Sequence, residues 1–197
     1  MKTPSHLLMT VAAAKRWGTA EVPRMAVWLG AVAPDLPLYV LTFSGLWFFH
    51  YWQGWTLRES ARHIFGTLYF SDPGWIACHN LLHSPTSLAM GLVLAKLAQR
   101  RWPRAARWWT WFLVACLFHS VVDILTHHDD GPLLFWPIDW TTRFASPVSY
   151  WDPAHFGREF SRLELALDVV LLAYLVWPMV RSLWGRTDAQ GETSAMV

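Results

Sequence analysis

Charge is scarce in this sequence. Only 15% of its 197 residues are Asp, Glu, Lys or Arg, against about a quarter in ordinary soluble domains, so the chain cannot clothe a typical water-facing surface. The net charge of +2 is small, and the basic residues cluster at the ends of apolar segments. Both facts argue against a nucleic-acid face, which needs a basic stripe. Cysteine is nearly absent. Cys78 and Cys116 lie in apolar surroundings and form no CxxC pair, which excludes a zinc ribbon or a disulfide framework and leaves both as inert buried thiols. There is no internal repeat and no low-complexity tract. A cleaved signal is not expected. The opening "MKTPSHLLMTVAAAKRWG" has a short apolar run and an A-x-A-like end, but "TPSH" precedes the run and Lys15 and Arg16 follow it, the wrong layout for cleavage.

Apolar and aromatic residues take the place of charge. Hydrophobic residues make up 54% of the chain, and 15 are Trp, a residue that concentrates where membrane meets water. The spacing predicts a short helix over 5–16 and a second starting near Pro23, broken or kinked at "APDLP" by Pro34 and Pro37. The aromatic stretch "LWFFHYWQGWT" suits an interfacial loop. "TLRESARHIFGTLYF" alternates charge and apolarity at helical spacing, as a helix lying on the membrane surface does. A helix from about Trp75 to Gln99, the basic loop "RRWPRAAR" and a returning helix over 105–127 follow. Residues 128–160 are polar and Pro-rich, and a last apolar helix covers about Arg162 to Leu183. The expected fold is therefore all-α: a multi-pass membrane helical bundle of about four spanning or half-spanning helices plus short interfacial ones. One membrane-embedded domain over 1–184 is followed by a polar tail over 185–197 expected to be disordered.

Three basic clusters (Lys15, Arg16 and Arg24; Arg100, Arg101, Arg104 and Arg107; Arg181 and Arg186) fall on one side if the passes alternate. The positive-inside rule makes that side cytoplasmic, in what is expected to be a bacterial inner membrane. At about 1.5 Å per helical residue, His6, Asp35, His119 and His83 lie roughly 15 to 25 Å above their nearest cluster. All four can therefore meet in the outer half of the bilayer, toward the extracytoplasmic side.

Such groups are costly in membrane segments, at about 2.5–3.5 kcal/mol for a charge on insertion scales, and so face a cavity with a task. Here they come in pairs four residues apart: His79 and His83 in "HNLLHS", His119 and Asp123 in "HSVVD", His155 and Glu159 in "HFGRE". Residues four apart share a helix face and can hold one metal between them. His6 in "SHLL" and Asp35 in "APDLP" are the solitary members. Imidazole with carboxylate suits Zn2+, with Mn2+ or Fe2+ as alternatives. A lone membrane histidine is more often a helix–helix hydrogen bonder, and His50 and His63, without partners at helical spacing, are assigned to interfacial solvation. Glu164 and Asp168 are expected to pair with Arg62, Arg143 or Arg158.

"SHLL", "WLGAVAPDLP", "HNLLHS" and "HSVVDILT…GPLLFWP" together resemble the motifs of the YdjM-like family of predicted membrane-bound metal-dependent hydrolases, over about residues 5–140. That family is grouped with zinc-dependent phospholipases C and single-strand-specific zinc nucleases, all-α enzymes with a three-zinc cluster. The resemblance implies a phospholipase C/zinc nuclease-like fold. It also implies an ordered ligand set: His6, Asp35, His83 or His79, the pair His119 and Asp123 with Asp123 bridging two metals, His127 or His128, and the closing pair His155 and Glu159. Two departures stand out. The family's "HRG-x-TH" is "HNLLH" here, and the phospholipases ligate one zinc with the amino group of a processed N-terminus.

The expected chemistry is hydrolysis of a phosphoester by two or three clustered metal ions. Asp35 and Asp123 are the catalytic carboxylates, with Asp35 able to act as general base. Arg143 and Arg158 are able to hold a phosphate bidentately. A site near lipid headgroups implies an amphiphilic substrate, a phospholipid or another lipid-linked phosphate ester, with membrane lipid as the surrounding partner and no nucleic acid. One rival is a protein that transports or binds metal ions or protons without hydrolase activity, which needs polar groups in both membrane halves. Another is a bis-histidine haem protein using His83 and His119, which leaves Asp35, Asp123 and Glu159 without purpose.

Overall fold

The structure is a computed structural model that describes residues 1–17 and 21–194. The chain runs through α1 (Thr3–Trp17), α2 (Arg24–Val32), α3 (Leu36–Trp47), α4 (Leu57–His63), α5 (Tyr69–Ser71), α6 (Pro73–Asn80), α7 (Pro85–Ala98), α8 (Pro103–Thr126) and α9 (Gly157–Ser194). No strand occurs among the described residues. α8 is the centre of the bundle, flanked by α2 and α7. α1 packs on α2, and α9 packs on α1. The core between α2, α7 and α8 consists of Ala26, Leu88, Phe112, Leu113 and Cys116. Gly30 sets how closely α2 and α8 approach, since a Cβ there would overlap the Phe112 carbonyl and stand 2.8 Å from Ala115 Cβ. Small residues at such crossings are what close packing within a membrane requires.

Proline punctuates the helices. Pro34 follows the end of α2, and a residue before proline is pushed out of the α region. Pro37 lies in the first turn of α3, and Asp35 is its N-cap. α6 begins at Pro73, with Asp72 accepting from the Trp75 N–H, and α7 begins at Pro85. α8 begins at Pro103 and is unbroken for 24 residues, a length of about 36 Å, more than the hydrocarbon core requires.

α8 and the first 26 residues of α9 are long and apolar enough to cross a membrane. α2 with α3, bent by 42°, and α6 with α7, bent by 52°, raise the number of candidate spans to four. The expectation of spanning and half-spanning helices describes this arrangement.

Three expectations need correction. "LWFFHYWQGWT" is mostly helical: α3 continues through a π-helical turn over Phe48–Trp52, and the chain reverses only at Gln53–Thr56, where Gly54 has φ +72°. Aromatic richness suggested a loop, but no proline lies between Leu38 and Trp52, and the helix runs through Ser44 and Gly45. The helix expected over 75–99 breaks at residues 81–84, because Pro85 removes a backbone donor and restricts Ser84. The last helix starts at Gly157, five residues before the expected Arg162. The tail expected over 185–197 begins inside the stretch assigned to α9, and residues 195–197 lie outside those described.

Residues 127–152 form a non-helical lid over the α6–α7 break. The Leu133 N–H donates to Asn80 Oδ1 at 2.8 Å. Ser84 Oγ donates to the Trp136 carbonyl at 3.0 Å, and Thr86 Oγ1 to the Leu134 carbonyl at 2.9 Å. Ser146 Oγ donates to the Leu125 carbonyl and the Tyr150 N–H to the Thr126 carbonyl, tying the lid to the end of α8. The side chains of the break thus satisfy backbone groups of the lid, as buried polar groups require.

Candidate metal centre

Each helix break delivers a ligand-type side chain. Asp35 sits at the α2–α3 break and His83 at the α6–α7 break, while the intact α8 carries His119 and Asp123 one turn apart. These four residues place one nitrogen or carboxylate oxygen each within 4.8 Å of all the others. His83, His119 and Asp123 are buried and Asp35 partly so. Membrane sites built at interrupted helices follow this logic, since irregular backbone is tolerated there only where it lines a cavity.

Asp123 is the hub, and its two oxygens face different neighbours. Oδ2 lies 2.9 Å from His83 Nε2 and 3.1 Å from His119 Nε2. Oδ1 lies 2.8 Å from His6 Nε2 and 3.5 Å from His127 Nε2. The Met1 amino group also reaches Oδ1, at 2.7 Å. His119 Nε2 stands 3.4 Å from Asp35 Oδ1. The rings of His6 and His119 stack at 3.6 Å between centroids.

The tautomer of His119 indicates what fits between these groups. Its Nδ1 lies 2.8 Å from the Ala31 carbonyl. A carbonyl only accepts, so Nδ1 carries a proton, and Nε2 faces Asp35 and Asp123. This Nε2 is buried and makes no hydrogen bond. A ring nitrogen held between two carboxylates suits positive charge there, a ring proton or a metal ion, and a backbone carbonyl bonded to the far nitrogen is the usual outer support of a metal-ligating histidine. The donor set of imidazole and carboxylate therefore fits a divalent transition metal, and Zn2+ is compatible with it.

Asp35 is held from its other side. Thr3 Oγ1 donates to Asp35 Oδ2, so the Tyr39 hydroxyl, 2.7 Å from Thr3 Oγ1, donates to Thr3. His127 is held by Asp130, whose Oδ1 lies 3.1 Å from His127 Nδ1 and whose Oδ2 accepts from Trp151 Nε1 at 2.8 Å. Burial raises the Asp130 pKa, but the bonds to His127 and Trp151 outweigh it and the carboxyl stays below its ordinary range.

The other expected residues fall into separate groups. His79 is buried beside the cluster, with its ring 4.5 Å from that of His83. Its Nε2 faces the Tyr69 hydroxyl at 3.1 Å, and that hydroxyl donates to the Asp130 carbonyl at 2.6 Å. His128 and His155 stack on each other in the lid at 3.5 Å. His128 Nδ1 bonds the Ser146 carbonyl, and His155 Nδ1 bonds Asp152. His155 and Glu159 do not share a helix face: His155 ends a 3-10 turn, and left-handed Phe156 (φ +61°) separates it from α9. Glu159 and Arg158 are exposed, and so is Cys78, which was expected to be a buried thiol like Cys116. The Arg143 guanidinium donates to the Gly131 carbonyl and packs over the Tyr69 and Phe70 rings. Glu164 does not pair with an arginine: it accepts from the Lys2 N–H at 2.7 Å and faces Lys2 Nζ at 3.4 Å. Asp168 accepts from Ser5 Oγ. Thr3, Tyr39, Tyr69 and Asp130 are the supporting residues that sequence reasoning did not single out. Asp130 alone carried a signal, since it closes the run "HHDD".

The cluster forms the floor of a cavity of about 880 Å³. A family model described as YdjM inner membrane protein matches residues 1–185 of the chain. No curated protein and no solved structure matches it.

Proposed function

The chain belongs to the YdjM inner membrane protein family, and from that premise we propose that it is an integral membrane, metal-dependent hydrolase of phosphoesters. Its substrate is a phospholipid or another lipid-linked phosphate, and its metal is Zn2+. One observation carries the reading: the two oxygens of Asp123 face separate donor sets. His83, His119 and Asp35 stand on one side, and His6 and His127 on the other. Two ions suit this layout. A third would need donors such as His128, His155 and Glu159, which face elsewhere. Bound there, such ions polarise a phosphoryl oxygen and lower the pKa of water.

The residues of the chain do the rest. Asp123 and His119 hold the two halves of the site in register through α8. Asp35, oriented by Thr3 and Tyr39, accepts a proton from the attacking water. The water oxygen bonds to phosphorus, the ester P–O bond breaks, and the proton passes to the departing oxygen. Arg143 is committed to the Gly131 carbonyl and Lys2 to Glu164, and Arg158 does not line the cavity, so substrate charge would fall to ions held at the centre. The site faces the extracytoplasmic side, on the strength of the Arg and Lys asymmetry.

The transport reading has less support. A transported ion needs a polar route to the opposite face, yet Phe112, Leu113, Ala115 and Cys116 form a closed apolar core one to two turns below His119. A screen of soluble and lipid phosphomonoesters and phosphodiesters with Zn2+-loaded protein tests the proposal. Hydrolysis that chelation abolishes and Zn2+ restores is expected. Metal-replete protein that cleaves none of them would refute it.

A further inference from the structure

The cavity above the metal centre is polar on its floor and at its lid-side rim, and largely apolar along α3. Asp35, His83 and Asp123 line its floor, while one wall is the apolar face of α3, formed by Leu38, Tyr39, Thr42 and Phe43. These positions recur at four-residue spacing and so share one side of the helix. Phe65 and Phe70, from the segment that folds back against α3, complete that wall. The same side chains are open to the outside: Tyr39 is 45% exposed, Phe43 68%, Phe65 46% and Phe70 44%. A residue that both lines a cavity and is exposed marks its opening. This opening lies along α3, which forms half of a bent candidate span and also exposes Val40 and Trp47 outward. Large apolar side chains clustered at a rim face lipid more favourably than water. The polar rim, with Asp129 and Lys2, is on the lid side.

Resting on the hydrolase reading of the same site, we propose that the cavity opens sideways into the bilayer and takes a phosphoester carried on a long hydrocarbon chain, whose tail lies along the Tyr39–Phe43 face of α3. The head meets the metal centre without the tail leaving the membrane. From Asp35 to Phe43 the helix rises ~12 Å, so a tail must extend at least that far from the phosphorus to use the whole wall. Tyr39 joins the two ends: its ring lines the tail wall, and its hydroxyl donates to Thr3, which donates to Asp35.

The test uses full-length protein in vesicles of zwitterionic phospholipid. The probe is a long-chain alkyl phosphonate carrying a diazirine near mid-chain, whose C–P bond is not an ester bond. After photolysis, peptide mapping compares Zn2+-loaded with chelator-stripped protein. Labelling at Tyr39, Phe43 and Phe65 is expected in the loaded protein and should fall on stripping to the level seen at Leu165 and Val169 of α9, which report bulk lipid. Equal labelling of α3 in both states would overturn the proposal. The two readings separate cleanly. Metal-dependent labelling without hydrolysis of any phosphoester keeps the tail groove and removes the hydrolase. Hydrolysis of a soluble chromogenic phosphoester with metal-independent labelling does the reverse.

Discussion

Replacing Asn80 by Ala should loosen the lid while leaving the bundle intact. Asn80 is 1% exposed and occupies the second position of "HNLLHS". Its Oδ1 accepts the Leu133 N–H at 2.8 Å, and its Nδ2 donates to the Ile76 carbonyl at 2.9 Å. The substitution removes both bonds and strands a donor on Leu133, which is fully buried. A net hydrogen bond contributes about 0.5–1.5 kcal/mol, and an unsatisfied buried donor costs about 1–3 kcal/mol. The Ile76 bond is internal to α6, so the loss that falls on the contact with the lid is that of the Leu133 bond, about 1–3 kcal/mol. Because ~1.4 kcal/mol is a factor of ten, the Leu133 amide should exchange hydrogen at least about five-fold faster. Hydrogen-exchange mass spectrometry of the peptide spanning 131–136 reads this directly, with α8 core peptides as the unchanged reference. Wild-type exchange in the Asn80→Ala lid peptide would refute the claim that this amide bridge holds the lid.

Two further expectations concern the frame of the site. Gly30→Ala should lower the melting temperature in detergent, since its Cβ would press on the Phe112 carbonyl and Ala115; overpacking of this kind costs about 1–3 kcal/mol, and an unchanged melting temperature would mean that α2 and α8 are not in the contact described. A cysteine placed at Gln99, in a background where exposed Cys78 is replaced by Ser, should react with an impermeant thiol reagent only from the cytoplasmic side; labelling from outside would invert the proposed orientation.

Much of the site was legible because its chemistry is local in sequence. The spacing of His119 and Asp123 on one unbroken helix fixed their shared face, and the prolines of "APDLP" marked the break that Asp35 occupies. His6 and His83 were identifiable because a basic group in an apolar helix needs a reason. The parts not legible depend on three-dimensional choices with no periodic signal. His155 and Glu159 have helical spacing, but one left-handed residue, Phe156, cancels it. Arg143 looked free to bind phosphate, yet Gly131, twelve residues away, accepts its guanidinium. The break at residues 81–84 was signalled by Pro85, but the apolar run on both sides masked it. Glu164 was assigned to an arginine because its partner, Lys2, is 162 residues distant and bonds partly through its backbone.

The central claim is that Asp123 joins two donor sets around bound metal. Metal content by elemental analysis of purified protein, equilibrated with Zn2+ and freed of excess, tests it most directly, with Asp123→Asn as the comparison because Asn keeps the size and removes the charge. The wild type should hold more than one equivalent of Zn2+, and Asp123→Asn, checked for an unchanged helical circular-dichroism spectrum, should lose most of it. Equal metal content in both proteins, or a wild type that retains none, would contradict the account.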